Sequence, residues 1–173
     1  MRTGTARAAL LLALACGGCV SGERLAGQQA PAPVFDPATF FVGHTQGQAV
    51  LKIALHRPQQ VRVEGQGRLA PDGTLVLDQS VRTGDGIAKQ RSWRFHSQGA
   101  GRWIGTLSDA AGPVRGDIAG NCLHLAFAMK GGLKAQQWLY LQRGGAIVRN
   151  VMVVRKMGLP VARLDETITR QPD

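Results

Sequence analysis

Three successive runs of alternating side chains between residues 91 and 121 constrain the fold of this chain more than any other feature. Each run has a period of two, which is typical of a β-strand because successive side chains point to opposite faces. One face of the three runs carries Trp93 and Phe95, then Trp103, Gly105 and Leu107, then Val114, Gly116 and Ile118. Short glycine-rich or proline-containing turns separate the runs, and connections this short join antiparallel neighbours. The segment is therefore predicted to be a β-meander.

Further strands are predicted on both sides of this meander, at intervals of about 9 to 15 residues between turn signals. The clearest of them are Ala49 to His56, Val61 to Leu69, Leu75 to Val81, Leu123 to Met129 and the run after Gly144-Gly145. No segment has a sustained helical period. Nine or ten strands in up-and-down order, with no helix to cover a flat sheet, favour closure into a barrel because closure removes the unpaired edges. The predicted fold is an all-β, antiparallel up-and-down meander closed into a barrel, and a two-sheet sandwich is the alternative.

The first residues have the composition of a bacterial secretion signal. Two arginines precede an apolar run that ends at Ala15, and Cys16 follows. That order resembles the lipobox of bacterial lipoproteins, in which the cysteine is acylated and becomes the new N-terminus. Cys19 is a second possible site, and an ordinary cleaved signal is another alternative. We therefore predict a signal peptide over residues 1–15, a lipidated flexible tether over 16–35 and one β-barrel domain over 36–173.

Acylation at Cys16 would anchor the protein to a membrane without spanning it, because each buried methylene contributes about 0.8 kcal/mol. Gly17 stands where an aspartate usually retains lipoproteins in the inner membrane. The predicted location is therefore the periplasmic face of the outer membrane. In such an oxidising compartment Cys19 and Cys122 could pair, but Cys122 opens an apolar strand and is interpreted as a small buried residue.

The charge of the chain is basic but evenly spread. The 173 residues contain 21 Lys and Arg against 11 Asp and Glu. Without residues 1–15, which include Arg2 and Arg7, 19 basic side chains remain, a net charge of +8. No run of four basic residues occurs, so the pattern is not that of a nucleic-acid binder. It is consistent with anionic lipid head groups, with an acidic ligand or with an ordinary solvated sheet face.

No catalytic, cofactor or metal motif is present in the sequence. The four histidines have no ligand spacing, and no serine lies in a nucleophile elbow. The glycines fall at turns and not in phosphate-binding loops. We therefore expect a protein that is not an enzyme and that uses no cofactor.

Six side chains are candidates for a ligand site, because a barrel whose interior is not filled can hold a small molecule. They are aromatic residues and polar residues within predicted strands: Trp93, Trp103, Trp138, Arg115, Asn121 and Asn150. Arg115 could bind a carboxylate or phosphate head group at the mouth of the barrel, while the tryptophans line its wall. Alternatively, the tryptophans are core residues and Arg115 lies on the surface beside Asp117.

Two local predictions concern the ends of the domain. Asp36-Pro37 is typical of a helix start, and one helical turn with Phe40 or Phe41 is predicted to plug an end of the barrel. In the strand after Gly144-Gly145, the face with Asn150 is predicted to point inward because arginines occupy the other face. Ile147, Val151 and Val153 would then form an exposed apolar stripe between arginines.

An ordered series of short motifs resembles the bacterial lipoprotein family known as domain of unknown function 3833, from about Phe40 to Thr169. The matching residues are Phe40-Phe41-Val42-Gly43, Asp72-Gly73-Thr74-Leu75, Leu77-Asp78, Gly84-Asp85-Gly86, Arg91, Trp93-Arg94, Gly105, Gly112-Pro113, Arg115-Gly116, Ala119-Gly120-Asn121, Trp138, Tyr140-Leu141, Asn150 and Met157-Gly158. The resemblance implies a lipocalin-like, calycin-type barrel on a lipid anchor, with no established activity. Ile87-Ala88 departs from the pattern, in which an acidic residue is more usual.

The predicted function is binding of an amphipathic small molecule, a lipid or fatty acid, in or at the barrel of a lipid-anchored envelope protein. One alternative is an interaction or structural module of the envelope with a filled barrel. A second alternative is an enzyme that acts on a lipid-like substrate. The sequence does not determine the oligomeric state.

Overall fold

The computed structural model describes residues 28–172, which form ten antiparallel strands and one short α-helix. The helix α1 spans Pro37–Phe41, and a three-residue 3-10 turn spans Lys130–Gly132. The strands are β1 (Gly43–Ile53), β2 (Gln59–Leu69), β3 (Leu75–Thr83), β4 (Lys89–Gly99), β5 (Arg102–Leu107), β6 (Val114–Ala119), β7 (Cys122–Met129), β8 (Leu133–Leu141), β9 (Ile147–Lys156) and β10 (Leu159–Arg170).

Each strand pairs with its neighbours in sequence, and β1 also pairs with β10, so that the sheet closes into a barrel. The prediction of a closed up-and-down meander is confirmed, and the sandwich alternative is wrong. The first strand begins at Gly43, six residues before the predicted start. The first part of β1 was not predicted because its inward-facing residue Gly47 has no side chain. The flanking glutamines face outward, so no alternation of apolar and polar side chains is visible there.

The helix α1 closes one end of the barrel, as predicted. Asp36 caps it by accepting hydrogen bonds from the backbone N–H groups of Ala38 and Thr39. Phe40 and Phe41 are buried with Phe35 in the interior, and Phe41 packs in the same cluster as Leu75 of β3. Gly67 of β2 lies against the carbonyl of Phe41, where a Cβ atom would clash. The absence of a side chain at this position lets α1 seat on the sheet.

The predicted tether includes a stretch that belongs to the folded domain. Phe35 is 2% exposed, and its backbone N–H donates to the carbonyl of Gly120 over 2.9 Å. The amide of Ala30 donates to Asn121 Oδ1. The flexible-tether prediction is therefore wrong for residues 28–35, because Phe35 has an aromatic ring to bury and the backbone before it has partners on the barrel. Cys16 and Cys19 lie outside the described residues.

The inward face of β9 is the predicted one. Val148, Met152 and Val154 pack in the main interior cluster, and Asn150 is 2% exposed. Val151 and Val153 point outward, but both are fully buried. The prediction of an exposed apolar stripe is therefore wrong for these two valines, whereas Ile147 is 41% exposed.

These two valines belong to a separate apolar cluster on the outside of the barrel, together with Trp138 and Tyr140 of β8 and Cys122 of β7. The pattern of β9 alone could not reveal these partners, because they come from two other strands. Cys122 is buried, as predicted.

No helix among residues 28–172 has the length and apolar character needed to cross a membrane.

Candidate functional site

A layer of polar side chains crosses the middle of the otherwise apolar barrel. Strand alternation points one such side chain inward from each of five strands: Gln79 on β3, Arg91 on β4, Gln137 on β8, Asn150 on β9 and Glu166 on β10. Gln79 and Arg91 are cross-strand partners, and so are Asn150 and Glu166. We call these five residues the polar layer. Buried polar groups are disfavoured unless they are paired, so their partners decide what the layer can do.

Arg91 is held in place by its neighbours in the layer. Its Nε donates a 2.8 Å hydrogen bond to Gln79 Oε1, which also accepts a 2.8 Å hydrogen bond from Trp93 Nε1. The Arg91 Cζ atom lies 5.7 Å from the centre of the Trp93 ring. Within the described part of the chain, its two terminal nitrogens have no hydrogen-bond partner. The guanidinium is therefore oriented but retains donors for a ligand.

Glu166 has one hydrogen-bond donor, Asn150 Nδ2, at 2.6 Å from its Oε2. Gly47 on the adjacent strand leaves the space that the carboxyl group fills, and a Cβ atom at this position would clash with it. The other amide atom, Asn150 Oδ1, is buried and has no partner among the described residues. Such an atom could accept a hydrogen bond from a ligand or a water molecule.

Burial affects the two ionisable groups of the layer in opposite directions. It raises the pKa of Glu166, while the hydrogen bond from Asn150 and the positive charge of Arg91 act to lower that pKa. Burial also lowers the pKa of Arg91, although the charges of Glu166 and Asp109 oppose this shift. An arginine stays protonated in proteins. The layer therefore becomes positively charged overall whenever Glu166 takes up a proton.

The polar layer separates two chambers, and Arg91, Trp93, Gln137 and Glu166 contribute to the walls of both. The α1 chamber lies between the layer and the helix, and its wall is largely apolar, with Phe41, Leu75, Phe95, Trp103 and Leu125. The distal chamber lies toward the other end, with Val61, Leu107, Phe127, Met129 and Met152.

The chambers are narrow. The free volume that a water-sized molecule can occupy is about 50 Å³ in the α1 chamber and about 60 Å³ in the distal chamber. A water molecule needs about 10–15 Å³ on this measure, so each chamber has room for a few waters. A long ligand could enter only if side chains moved, and the unbranched methionines of the distal chamber can adapt their shape.

The family model described as a protein of unknown function, DUF3833, matches residues 13–170. The chain belongs to DUF3833. No curated protein has a significantly similar sequence.

Solved structures share the fold of this DUF3833 barrel at low sequence identity. An S-type phycobiliprotein lyase, CPES from Guillardia theta, has a TM-score of 0.61 at 7% identity, over 76% of this chain and 89% of that one. Rv2717c from M. tuberculosis has a TM-score of 0.56 at 15% identity, over 76% and 93%.

A protein of unknown function from the DUF3598 family of Nostoc punctiforme has a TM-score of 0.59 at 16% identity. The match covers 80% of this chain but only half of that one. At these identities the three matches establish a lipocalin-like barrel and no activity.

Three of the six predicted site residues of the DUF3833 chain lie inside the barrel. Trp93 borders both chambers, Trp103 borders the α1 chamber and Asn150 borders the distal one. Asn150 belongs to the polar layer, and Trp93 donates a hydrogen bond to Gln79 of that layer.

Two other predicted site residues point away from the interior. Arg115 is exposed, because Val114 and Gly116 of β6 face inward on either side of it. Trp138 lies in the outer cluster, where its ring stacks on His124 at 5.1 Å between centroids. Neither residue therefore borders the chambers, and Trp138 does not line the interior wall as the sequence suggested.

Asn121 holds the segment that precedes α1 against the barrel. It is 4% exposed at the end of the barrel near α1, where its Nδ2 donates to the carbonyls of Gln28 and Leu141, each over 2.9 Å. With the bond that it accepts from Ala30, these contacts fasten residues 28–30 to the barrel. Asn121 borders neither chamber.

The sequence analysis missed Arg91, Gln79, Gln137 and Glu166. For two of them, the alternation of side chains along the strand contains a signal of an interior position. Arg91 shares its alternation face with Trp93 and Phe95, and Glu166 shares its face with Leu164 and Ile168. Charged residues on an otherwise apolar strand face are candidates for an interior site.

Within the described segment, no group of three His, Cys, Asp or Glu side chains converges as a metal site would require.

Proposed function

We propose that this protein binds a single-chain amphipathic molecule, a lipid or fatty acid, inside its barrel, with the anionic head group at Arg91. The observation that carries the proposal is that the Arg91 guanidinium is fixed in orientation but keeps hydrogen-bond donors for a ligand. Gln79 and Trp93 orient it, and its terminal nitrogens have no partner in the described part of the chain. A buried, unpaired charge is disfavoured by several kcal/mol. A carboxylate or phosphate would relieve this penalty through charge-assisted hydrogen bonds.

The walls of the two chambers support an apolar tail on this ligand. Away from the polar layer, leucine and aromatic side chains dominate the wall of the α1 chamber, and valine, leucine and methionine side chains dominate that of the distal chamber. The small free volume favours one slender acyl chain over a ring system or a two-chain lipid. Met129 and Met152 would change rotamer to admit the chain.

We further propose that the protein acts at the periplasmic face of the outer membrane, anchored through Cys16. The support is the signal-like N-terminus and the apolar residues before Cys16. The family match begins at residue 13 and therefore includes Cys16.

Native mass spectrometry of the purified chain tests the binding proposal. The wild-type protein should carry a co-purified mass of one acyl-chain compound, lose it on organic extraction and regain one equivalent of added palmitate. Arg91→Gln should weaken palmitate binding by about tenfold or more, since it removes a charge-assisted contact. Arg94→Gln is the matched control, because Arg94 is exposed on the outer face of the same strand. Equal palmitate binding by a folded Arg91→Gln protein would contradict the proposal.

An enzyme that acts on a lipid-like substrate is the second candidate. The observation that favours it is Glu166, a carboxyl whose pKa is raised by burial in a layer that also contains the guanidinium of Arg91. Such a group can deliver a proton to a bound substrate. Turnover of a long-chain acyl ester that is lost in Glu166→Gln would support this function. An unchanged ester in the presence of the wild-type protein would exclude that activity.

A further inference from the structure

The end of the barrel opposite α1 presents large apolar side chains at the tips of its turns. Leu55 in the β1–β2 turn is fully exposed, and Ile87 in the β3–β4 turn and Met157 in the β9–β10 turn are 91% and 92% exposed. Ile53 at the end of β1 and Leu159 at the start of β10 flank two of these turns and are also exposed. Five of the eight large apolar side chains that are exposed among the described residues therefore lie in or beside the three turns.

These three turns are neighbours around the rim of the barrel. β1 pairs with β10, and β2 pairs with β3, so the β1–β2 turn lies between the other two. Hydrogen bonds tie them to adjacent strands: Ala54 N–H donates to the carbonyl of Val161, and Gly84 N–H to that of Gln60, over 2.9 and 2.8 Å. The apolar tips therefore form one fixed arc, which we call the distal rim.

The apolar character of the tips has no explanation in the fold. Leu55 and Met157 have φ angles of 65° and 51°, two of the three positive values among non-glycine residues that the structure describes. Glycine or asparagine adopts this conformation more readily, and a leucine there is strained by about 1–2 kcal/mol. A side chain that is both strained and fully exposed adds nothing to the core. Its apolar character points to contact with a partner.

Basic side chains surround the apolar tips. The stretches 52–58, 82–89 and 155–160 contain six Lys or Arg residues and one acidic residue, Asp85, a formal charge of +5. The basic residues are Lys52, Arg57, Arg82, Lys89, Arg155 and Lys156. Each Lys or Arg near an anionic bilayer contributes about 1 kcal/mol of attraction.

We propose that the distal rim docks on a bilayer that contains anionic lipids, with Leu55, Ile87 and Met157 inserted among the head groups. The apolar side chains stand on three separate turns and do not form one flat patch, so they suit shallow insertion into a fluid surface better than the face of another protein. The ring of basic residues matches phosphate head groups. Docking here would bring the distal chamber to the membrane, although the contact itself does not depend on a ligand inside the barrel.

An anchor at Cys16 is compatible with this orientation. The described chain begins at Gln28, at the α1 end of the barrel, and Cys16 lies 12 residues earlier. Twelve extended residues reach about 40 Å. An eleven-residue strand such as β1 spans at most about 37 Å, and less along the axis because barrel strands tilt. The anchor can therefore reach the membrane beside the distal rim.

Vesicle sedimentation with a full-length Cys16→Ala, Cys19→Ala chain tests the proposal without any contribution from an acyl anchor. This chain should bind vesicles of phosphatidylethanolamine and phosphatidylglycerol, and bind pure phosphatidylcholine far less. Adding Leu55→Asn, Ile87→Asn and Met157→Asn should weaken binding to the anionic vesicles by about tenfold or more. Asparagine is tolerated at exposed turn positions, including those with positive φ, so the thermal midpoint of this variant should not fall below that of the parent chain.

The matched control is Val34→Asn with Leu69→Asn, two exposed apolar residues near α1 that should leave binding unchanged. A second variant, Arg57→Gln with Lys156→Gln, should reduce binding and its dependence on salt. If the parent chain ignores anionic vesicles, or the triple variant binds like the parent, the proposal is overturned. It is also overturned if only the control pair loses binding. Palmitate retention in native mass spectrometry is a separate readout, so failure of the docking surface is distinguishable from failure of the ligand site.

Discussion

Asn150 donates a 2.6 Å hydrogen bond to the carboxyl group of Glu166, which lies opposite it on the neighbouring strand of the barrel interior. Sequence reasoning placed Asn150 on the inward face and required it to find partners there. The partner is an acid, and the two residues together make up part of the polar layer that also contains Arg91. Removal of either one leaves the other with an unpaired polar group in the core.

Asn150→Leu should lower the free energy of unfolding by about 1–3 kcal/mol, because Glu166 loses its donor while remaining buried. Urea denaturation measures the change. Ile147→Leu, at a half-exposed outward position of the same strand, is the control and should have little effect. An unchanged urea midpoint for Asn150→Leu would contradict the pairing.

The contribution of Glu166 to the stability of the barrel should grow as pH falls through its raised pKa. Burial raises the pKa of Glu166 above its ordinary value of 4.5, so the folded state holds a proton that the unfolded state releases. Between those two pKa values the folded state binds more protons, and stability is therefore lost as pH rises. Glu166→Gln should remove this part of the pH dependence and be at least as stable as the wild-type protein at neutral pH. Thermal melts of the wild-type and Glu166→Gln proteins across this pH range measure how stability depends on pH. If the melting temperatures of the two proteins change with pH in the same way, Glu166 is not the cause.

Val151→Asp with Val153→Asp should destabilise or unfold the domain, because both valines are fully buried in the outer cluster with Trp138 and Tyr140. An unpaired buried carboxylate is disfavoured by several kcal/mol. Ile147→Asp, on the same outward face but 41% exposed, should be tolerated. Circular dichroism during thermal unfolding separates the two cases. Wild-type stability of the double variant would restore the exposed stripe that the sequence suggested.

Asn121→Ala should free the segment that precedes α1. It removes three hydrogen bonds, to Gln28, Ala30 and Leu141, and should lower stability by about 1–3 kcal/mol. Faster hydrogen exchange at the Ala30 amide would identify the cause. Asp117→Ala, an exposed change on β6, serves as the comparison. Wild-type protection of Ala30 in Asn121→Ala would mean that other contacts hold the segment.

Cys16→Ala should abolish acylation and stable membrane association, whereas Cys19→Ala should leave both intact. Incorporation of labelled palmitate followed by membrane fractionation measures the two effects. The physical reason is that the acyl chains supply most of the anchoring free energy, at about 0.8 kcal/mol per buried methylene. Label that persists in Cys16→Ala and disappears only in Cys19→Ala would move the mature start three residues along the chain.

Local patterns in the sequence determined the strands, the cap of α1 and which residues share a strand face. Alternation is a property of one strand, and the Asp36-Pro37 pair specifies a helix start within a few residues. Both could therefore be predicted without knowledge of the rest of the chain. The same reasoning gave the inward direction of Asn150, because the arginines on the opposite face excluded that face from the core.

Only the tertiary structure decided which side chains meet. Arg91 and Glu166 are 75 positions apart, and they lie in one polar layer because β1 and β10 pair and close the barrel. Pairing between the first and last strands is a long-range event that no local pattern specifies. For the same reason the sequence did not show that Trp138 faces outward, or that Val151 and Val153 share a buried cluster with it. Strand alternation separates the two faces of β8, but this strand has no arginines to exclude one face from the core, so only closure of the barrel assigns one of them to the interior.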